Sequence, residues 1–335
     1  FTGDKLDPHE RLLVLIINNK TLETSIIYPA LDGETVKNNT NLNLYLPHDD
    51  KEDAFQYVFQ AIPKNSTIAV EGSHLLYERY LRLIENYQAS GIKVLDKEIA
   101  YLRTKKDAHD KEELLRAVEI TEKALEDLKE FTVEGKTEME VSDFLVKQFK
   151  SYGAIGPSFG PTVLTGKKSA LPHGDSGNEV IKRGDFLLID FGVISDTGYV
   201  SDMTRTFIVG EASKEQETIY KTVLRANLEG IKAAQKGVEL RSIDQTARDV
   251  IDEAGYKEYF MHRIGHGLGL DIHEAPSIHG DNTDSLESGN VITIEPGIYI
   301  PSIGGVRIED MLFIEEDNTI TLNSFPKDFE SMIIQ

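Results

Sequence analysis

Residues 185–209, DFLLIDFGVISDTGYVSDMTRTFIV, place the turn-forming sequence SDTG between two runs of apolar residues. This pattern is typical of a β-hairpin. If the hairpin turns about Asp196, the side chains of Asp190 and Asp202 face each other across the two strands. Directly opposed side chains have Cβ atoms about 4.5 to 5.5 Å apart, and two like charges at that distance destabilise a sheet unless something lies between them.

A second stretch, residues 291–314, has the same organisation, VITIEPGIYIPSIGGVRIEDMLFI. A hairpin that turns about Ser302 makes Glu295 and Glu309 cross-strand neighbours. Two pairs of acidic residues thus occupy equivalent points of two hairpins. Their setting in apolar strand sequence argues against ordinary solvated side chains.

The segments before the two hairpins also resemble each other. Helical periodicity predicts two helices before each hairpin, at about residues 107–131, 139–152, 213–235 and 241–254. GKTEMEVSDFLVKQFKSYG from Gly135 resembles GVELRSIDQTARDVIDEAG from Gly237, and His173 lies one hundred residues before His273. We therefore expect one α+β domain of two halves related by pseudo-twofold symmetry, with a site between the halves.

Electrostatics indicates what would hold the four acids together. Four carboxylates about 6 Å apart repel by about 3 kcal/mol per pair at an effective dielectric constant of about 20, which approaches about 17 kcal/mol over all pairs. An ordinary domain is stabilised by less than that. Two divalent cations would balance the four charges. The sequence thus predicts a two-metal site with Asp190, Asp202, Glu295 and Glu309 as ligands.

The stretch RIGHGLGLDIHEAP, residues 263–276, adds two histidines seven residues apart. Both could bind metal, one could bind metal while the other moves protons, or the stretch could be a glycine-rich turn. Its glycines disfavour a helix, and an odd separation on a strand sends His266 and His273 to opposite faces. Two different roles are therefore favoured, with His266 as the fifth metal ligand, because its glycine neighbours permit a close approach of the backbone.

Composition excludes several other classes of protein. The chain has no cysteine, which rules out disulfides and thiolate metal sites and fits a reducing compartment such as the cytoplasm. Its formal net charge of −21 argues against a nucleic-acid partner or an anionic membrane, since both need a basic face. No segment approaches the run of about 18 apolar residues that predicts a membrane-spanning helix.

The N-terminal part of the chain has a different character. Short apolar runs alternate with amphipathic stretches, as in RLLVLIINN, TSIIYPA, DAFQYVFQAI and LLYERYLRLIENYQ, which predicts an α/β module. A dense helical charge pattern then begins with LRTKKDAHDKEELL. A chain of 335 residues is long for one core. The predicted domains are therefore residues 1–105 and residues 106–335.

The motifs around the five predicted ligands resemble those of the pita-bread metallopeptidases. The contexts are IDFG for Asp190, GYVSDMTRTF for Asp202, GHGLGLDIHE for His266, IEPGIY for Glu295 and GGVRIED for Glu309. Residues 1–105 resemble the creatinase-type N-terminal domain that accompanies this fold in Xaa-Pro dipeptidases (prolidases) and aminopeptidase P. The resemblance covers the whole chain. One departure is that the interval between the two aspartates is one residue longer than is usual in the family.

The resemblance implies a metal-dependent hydrolase, in which a hydroxide bridging two metal ions cleaves the Xaa-Pro peptide bond of dipeptides. It places Asp202, His266 and Glu309 around one ion and Asp190 around the other. Glu309 would bridge both ions. Glu295 would bind metal and also accept a proton from the nucleophilic water.

Further residue roles follow from the same resemblance. His273 would stabilise the oxyanion, and His173 would help to orient the substrate or bind its terminal group, as non-ligand histidines of the family do. His262 matches a position that lines the substrate pocket. Arg307, on the strand face of the ligands, would either orient a carboxylate ligand or bind a substrate carboxylate in a two-pronged contact. Thr204 would hydrogen-bond a ligand.

Several alternatives stay open at this point. An Xaa-Pro dipeptidase is favoured, partly because DPHER, residues 7–11, resembles a bacterial dipeptidase loop that closes the pocket of a partner subunit. Aminopeptidase P, which acts on longer peptides, is the second choice. An inactive pita-bread domain that serves as a binding module and a structural calcium or magnesium site are the others. Manganese is the favoured metal, cobalt and zinc also suit the ligands, and the resemblance implies a homodimer.

Overall fold

Two units make up the chain in the computed structural model, which describes residues 10–87 and 91–334. The units are Phe1–Ile99 and Ala100–Gln335. The boundary near residue 105 that the sequence indicates stays a prediction.

The first unit alternates strands and helices, as its sequence predicts. Its strands are β1 (Val14–Ile17), β2 (Thr24–Pro29), β3 (Leu44–His48), β4 (Ile68–Val70) and β5 (Ile92–Val94). Its helices are α1 (Gly33–Asn39), α2 (Phe55–Ala61) and α3 (Tyr77–Asn86), and α4 (Asp96–Thr104) follows. Strand β2 is antiparallel to β1 and parallel to β3, and β4 is parallel to β5. The sequence did not predict α1 and β3, which are short and place few apolar side chains in the core.

Four helices of the second unit match the predicted pattern within about two residues. They are α5 (Ala108–Glu130), α6 (Glu138–Ser151), α7 (Lys214–Ala233) and α8 (Leu240–Glu253). Capping boxes explain why three of them begin where they do. In α6, for example, the Thr137 side chain accepts from the Glu140 backbone N–H, and the Glu140 carboxylate accepts from the Thr137 N–H.

The strands of the second unit form two main sheets, one for each half of the predicted repeat. The first half supplies β6 (Gly156–Pro157), β7 (Thr162–Thr165), β8 (Phe186–Phe191), β9 (Val193–Ile194) and β10 (Met203–Val209). The second supplies β11 (Gly265–Gly267), β12 (Glu274–Ile278), β13 (Val291–Ile294), β14 (Gly297–Ile300), β15 (Gly304–Arg307), β16 (Asp310–Ile314) and β17 (Thr319–Thr321), and β18 (Ile333–Ile334) follows. The sheet orders are β18-β10-β8-β7 and β12-β11-β13-β16-β17.

The register predicted for the first hairpin was wrong. Strand β8 places Asp190 opposite Thr204, not opposite Asp202. The turn centres on Thr197 instead of Asp196, because Gly198 takes the left-handed conformation at φ +95° and closes it. This change moves the pairing by two residues, which leaves every side chain on its predicted face. Asp190 and Asp202 are therefore diagonal neighbours on one face.

The register predicted for the second hairpin is confirmed. Strand β13 pairs Ile294 with Asp310, and β14 pairs Gly297 with Arg307, as a turn about Ser302 requires. Glu295 and Glu309 lie at the interruption between these two paired segments.

One hydrophobic core connects both halves of the second unit. Among its buried side chains are Phe186, Phe207, Ile219, Ile294 and Ile308, which come from both repeats. The predicted α+β fold of two related halves is confirmed. Within the described residues, no helix is long and apolar enough to cross a membrane.

Candidate metal centre

Three of the predicted ligands meet in the core of the second unit. Asp202, His266 and Glu309 each offer an atom that lies within 4.8 Å of the other two, and all three side chains are buried. Asp202 directly precedes β10, His266 lies on β11, and Glu309 lies between β15 and β16. The cluster thus joins segments from both repeats.

The two other predicted ligands lie beside this cluster. The His266 Nε2 atom is 3.5 Å from Asp202 Oδ2 and 3.5 Å from Glu295 Oε1. Asp190 accepts a hydrogen bond at its Oδ2 atom from Arg307 Nη2, at 2.6 Å. The Oδ1 atoms of Asp190 and Asp202 are buried and have no hydrogen-bond partner among the described residues.

The protonation equilibria of the cluster are strongly perturbed. Burial, followed by the charges of neighbouring carboxylates, raises the pKa values of Asp202 and Glu309 well above their ordinary range. Burial also raises the pKa of Glu295 to about 8, against the opposing charge of Arg307. Burial lowers the pKa of His266 to about 3, so its ring is neutral. These directions show that anionic carboxylates at this point need positive charge nearby.

The residues present fit divalent cations. Buried carboxylate oxygens without donors are an arrangement that proteins avoid unless a cation completes it. The His266 Nδ1–H group donates to the Gly267 carbonyl oxygen at 3.1 Å. The lone pair of Nε2 therefore points to the acids, which is the tautomer that a metal ligand needs. Oxygen and imidazole ligands suit manganese, cobalt and zinc.

Two glycines explain the close approach of β11 to its neighbours. A Cβ atom on Gly265 would lie 2.0 Å from the Thr293 carbonyl oxygen, and one on Gly267 would lie 2.1 Å from the Ala275 carbonyl oxygen. Only glycine fits there. The Thr293 hydroxyl accepts from the His266 backbone N–H at 3.1 Å and lies 3.4 Å from Glu295 Oε1.

Arg307 donates hydrogen bonds to the predicted ligand Asp190 and to two neighbouring side chains. Its Nε atom donates to Thr204 Oγ1 at 3.1 Å, Nη1 donates to Tyr299 Oη at 2.7 Å, and Nη2 donates to Asp190. The Thr204 hydroxyl in turn donates to Glu309 Oε2 at 2.7 Å. Of the two roles considered for Arg307, this geometry supports the orientation of a carboxylate ligand.

Tyr299 is a residue of the site that sequence reasoning missed. In the run GIYI it resembles an ordinary core aromatic residue, and its side chain is buried. One signal was present, because strand alternation puts Tyr299 on the same face as Gly297 and Glu295. The hydroxyl donates to His262 Nε2 at 2.9 Å, while His262 Nδ1 donates to the Arg263 carbonyl oxygen at 2.8 Å.

The other three histidines of the predicted site are His262, His273 and His173. The His273 ring packs edge-on against the His266 ring with centroids 4.4 Å apart, because the chain bends between β11 and β12. Burial, and then the charge of Arg307, lower the pKa of His262 to about 3. His173 is exposed, and its charge contributes to lowering the pKa values of both His262 and His273. The structure therefore brings His173 close to the other two.

The predicted pocket-closing loop belongs to the first unit. Asp7, Pro8 and His9 lie outside the described residues. The Arg11 Nε atom donates to Asp50 Oδ1 at 2.8 Å.

Fold and site together are those of a metal-dependent hydrolase. Residues 112–316 match the model of metallopeptidase family M24, and residues 1–105 match the creatinase/prolidase N-terminal domain. The chain therefore belongs to metallopeptidase family M24. The predicted family, its pita-bread fold with the additional N-terminal domain, and the prediction of a metallopeptidase are confirmed.

Relatives of this chain extend over nearly its whole length. An uncharacterized peptidase of Staphylococcus aureus strain MW2 is 38% identical over 327 residues, which cover 98% of this chain and 92% of the relative. The solved Xaa-Pro dipeptidase from Bacillus anthracis is 33% identical with a TM-score of 0.91, covering 98% of this chain and 94% of its own. The solved X-Pro aminopeptidase from Thermotoga maritima MSB8 is 30% identical with a TM-score of 0.88, covering 96% and 90%. Individual ligand assignments stay predictions.

Proposed function

We propose that this protein is an Xaa-Pro dipeptidase that uses two divalent cations, manganese by preference. The observation that carries the proposal is the buried meeting of Asp202, His266 and Glu309 beside Asp190 and Glu295. All five positions of the predicted ligand set carry residues that can bind metal, which argues against an inactive binding module. The similarity to the dipeptidase from Bacillus anthracis supports the choice of substrate.

The ligands would divide between two cations. Asp202, His266 and Glu309 would hold one, and Asp190 would hold the other, with Glu309 shared and Glu295 completing the set. Bound cations would lower the pKa of a water molecule towards neutrality and polarise the scissile carbonyl group. Arg307 and Thr204 keep Asp190 and Glu309 in the orientation that this requires.

Three side chains would handle protons and substrate. Burial raises the pKa of Glu295. Bound cations would offset that rise, so that the Glu295 carboxylate would accept a proton from water and return it to the departing nitrogen. His273 would donate a hydrogen bond to the oxyanion, because its ring is exposed beside that of His266. His173, exposed on the neighbouring loop, would orient the substrate. The bond before proline lacks an N–H group, and none of these contacts requires one.

Hydrolysis of Leu-Pro and of Leu-Pro-Pro-Gly, measured with added manganese, tests the proposal. We expect the dipeptide to be cleaved at least about tenfold faster. Cleavage of the tetrapeptide at a comparable rate would favour aminopeptidase P, the second candidate, which the similarity to the Thermotoga maritima enzyme supports. Inactivity on both peptides with manganese, cobalt and zinc would contradict the enzyme assignment.

A cytoplasmic location, a homodimer and the domain boundary at residue 105 are further proposals that rest on the resemblance to prolidases. Light scattering during gel filtration measures the oligomeric state directly. A mass near 75 kDa, twice the 37.5 kDa of the chain, is expected.

A further inference from the structure

Two arginines beside the metal centre differ in their partners. Arg307 directs its donors to Asp190, Thr204 and Tyr299. Arg263 donates from Nη1 to the hydroxyl oxygen of Ser277 at 2.9 Å, which is a neutral partner. Within residues 10–87 and 91–334, Arg263 forms no ion pair with a carboxylate. Its guanidinium group can therefore still pair with a carboxylate.

The sheet register places the Arg263 guanidinium on the face that carries the site. Ser277 on β12 lies directly opposite His266 on β11. Directly opposed residues of antiparallel strands point to the same face. The hydrogen bond from Arg263 to Ser277 therefore brings the guanidinium to the side of the sheet that presents the His266 ring. The His273 ring packs against His266 on that side.

The electrostatics of the site agrees with this position. Burial lowers the pKa of His273, and the charge of Arg263 is the next largest cause. The same charge opposes the rise that burial produces in the pKa of Glu295. Arg263 thus acts on the two side chains that the proposed mechanism places around the scissile bond.

The chemistry of the substrate gives such a cation a use. In an Xaa-Pro dipeptide the terminal carboxylate belongs to the residue just after the scissile bond, and consecutive Cα atoms are about 3.8 Å apart. In a longer peptide a neutral amide occupies that point. A guanidinium binds a carboxylate with two parallel hydrogen bonds, a geometry that an amide cannot match. A guanidinium group on the face of the sheet that carries His266 and His273 would therefore distinguish dipeptides from longer peptides.

We propose that Arg263 binds the terminal carboxylate of the dipeptide and so makes the enzyme prefer dipeptides to longer peptides. This inference rests on the proposed function and deepens it. Sequence analysis considered Arg307 for this role. Arg307 instead donates to Asp190, and Arg263 is therefore the arginine that we expect to bind the substrate carboxylate.

The test compares Leu-Pro with its amide, Leu-Pro-NH2, which differs only in the terminal charge. In the manganese-loaded wild-type protein, kcat/KM for Leu-Pro should exceed that for the amide by about 10- to 100-fold, the range that a charge-assisted hydrogen bond gives. In Arg263→Gln this ratio should fall to within about threefold of one, mainly through a rise in KM for Leu-Pro. Metal content and Tm are measured beside the kinetics.

Arg225→Gln is the matched control. Arg225 is exposed on α7 and donates to the Val250 carbonyl oxygen, so it also has a neutral partner but lies outside the site. It should keep the wild-type ratio. If Arg263→Gln does not fold, Arg263→Lys answers the same question, because an ammonium group cannot make the two-pronged contact and should lower the ratio at least about threefold.

The outcomes separate this inference from the proposed function. A wild-type protein that cleaves neither compound contradicts the proposed function itself. A wild-type protein that cleaves both equally well is a peptidase that does not recognise the carboxylate, and it overturns the inference alone. An Arg263→Gln or Arg263→Lys variant that keeps the wild-type ratio overturns the assignment to Arg263.

Discussion

The carboxyl groups of Asp202 and Glu309 are buried and that of Glu295 is partly buried, and the charge of Glu295 affects the pKa values of the other two. Burial is the largest cause of their raised pKa values, so in the metal-free protein they retain protons at pH values where an exposed acid is ionised. A cation that binds there displaces those protons. Stability and metal binding are therefore both linked to pH at these residues.

We expect the metal-free protein to lose stability as the pH rises from about 6.5 to about 8, because below pH 6.5 the lowered pKa values of His262 and His266 act in the opposite direction. The folded-state pKa of Glu295, about 8, lies above its value in the unfolded chain. The unfolded state therefore releases its proton first, and the folded state becomes relatively less stable until the pH passes about 8. Thermal unfolding should show Tm of the chelator-treated protein falling by about 5 °C or more over this range, and manganese should offset most of the fall.

One substitution tests whether Glu295 causes this pH dependence, and a second serves as its control. Glu295→Gln removes one of the raised titrations and should weaken the pH dependence of Tm. Glu229→Gln changes an acid on α7 whose carboxylate makes only a surface ion pair with Lys232, and it should leave that dependence intact. A metal-free Tm that rises between pH 6.5 and 8 would refute the linkage.

A second prediction concerns His273. Because its ring touches the ring of His266 without being placed as a ligand, His273→Ala should retain manganese. Loss of one oxyanion donor should lower kcat/KM for Leu-Pro by about 100- to 1,000-fold. His109→Ala, which removes an imidazole exposed on α5, is the control and should keep wild-type activity. Full activity of His273→Ala would show that His273 does not stabilise the oxyanion.

At the scale of elements, Glu274 fixes the bend between β11 and β12. Its Oε1 atom accepts the backbone N–H groups of Leu270 and Asp271, each at 3.0 Å. Its Oε2 atom accepts from Lys106 Nζ at 2.8 Å, and both side chains of this ion pair are 5% exposed. His273 lies within the segment that these contacts hold. The position of the His273 ring therefore depends on Glu274.

Removal of one partner of this ion pair should destabilise the protein strongly. Glu274→Leu leaves the Lys106 ammonium buried without a counter-charge, which should cost about 3 to 5 kcal/mol in the free energy of unfolding. The double variant Lys106→Met/Glu274→Leu should regain part of that stability, because the buried ammonium is gone. Arg103, which also pairs with Glu274, keeps Asp271 as a partner. The double variant should not regain the activity on Leu-Pro, because the N–H groups of Leu270 and Asp271 still lack their acceptor.

Urea unfolding and kcat/KM of the three variants check this prediction. Lys106→Met alone completes the double-mutant cycle. Wild-type activity in the double variant would show that Glu274 acts through the ion pair alone and has no part in placing the loop.

The two hairpins show how far sequence alone predicts such elements. The turn about Ser302 was predicted correctly. The turn of the first hairpin was placed one residue early, because SDTG permits two centres and only the conformation of Gly198 selects Thr197. The ligands still converge, since a pairing change of two residues keeps each side chain on its face. The face of the sheet on which a side chain lies can thus be predicted correctly even when its cross-strand partner is not.

At the scale of the whole molecule, the site requires both repeats. The first contributes Asp190 and Asp202, the second contributes His266, Glu295 and Glu309, and one hydrophobic core connects the two. Repeated patterns and charge made this convergence predictable. Tyr299 and the Lys106 to Glu274 ion pair were not predictable, because their roles depend on contacts between residues far apart in the chain whose types fit an ordinary core or surface.

We propose above all that acids from two repeated hairpins hold a pair of cations. X-ray diffraction from crystals soaked in manganese can show this, because the anomalous signal locates each ion without reference to activity. We expect two peaks a few ångströms apart, with Asp190, Asp202, His266, Glu295 and Glu309 as ligands. An empty cluster at saturating manganese, or ions bound only elsewhere on the acidic surface, would contradict it.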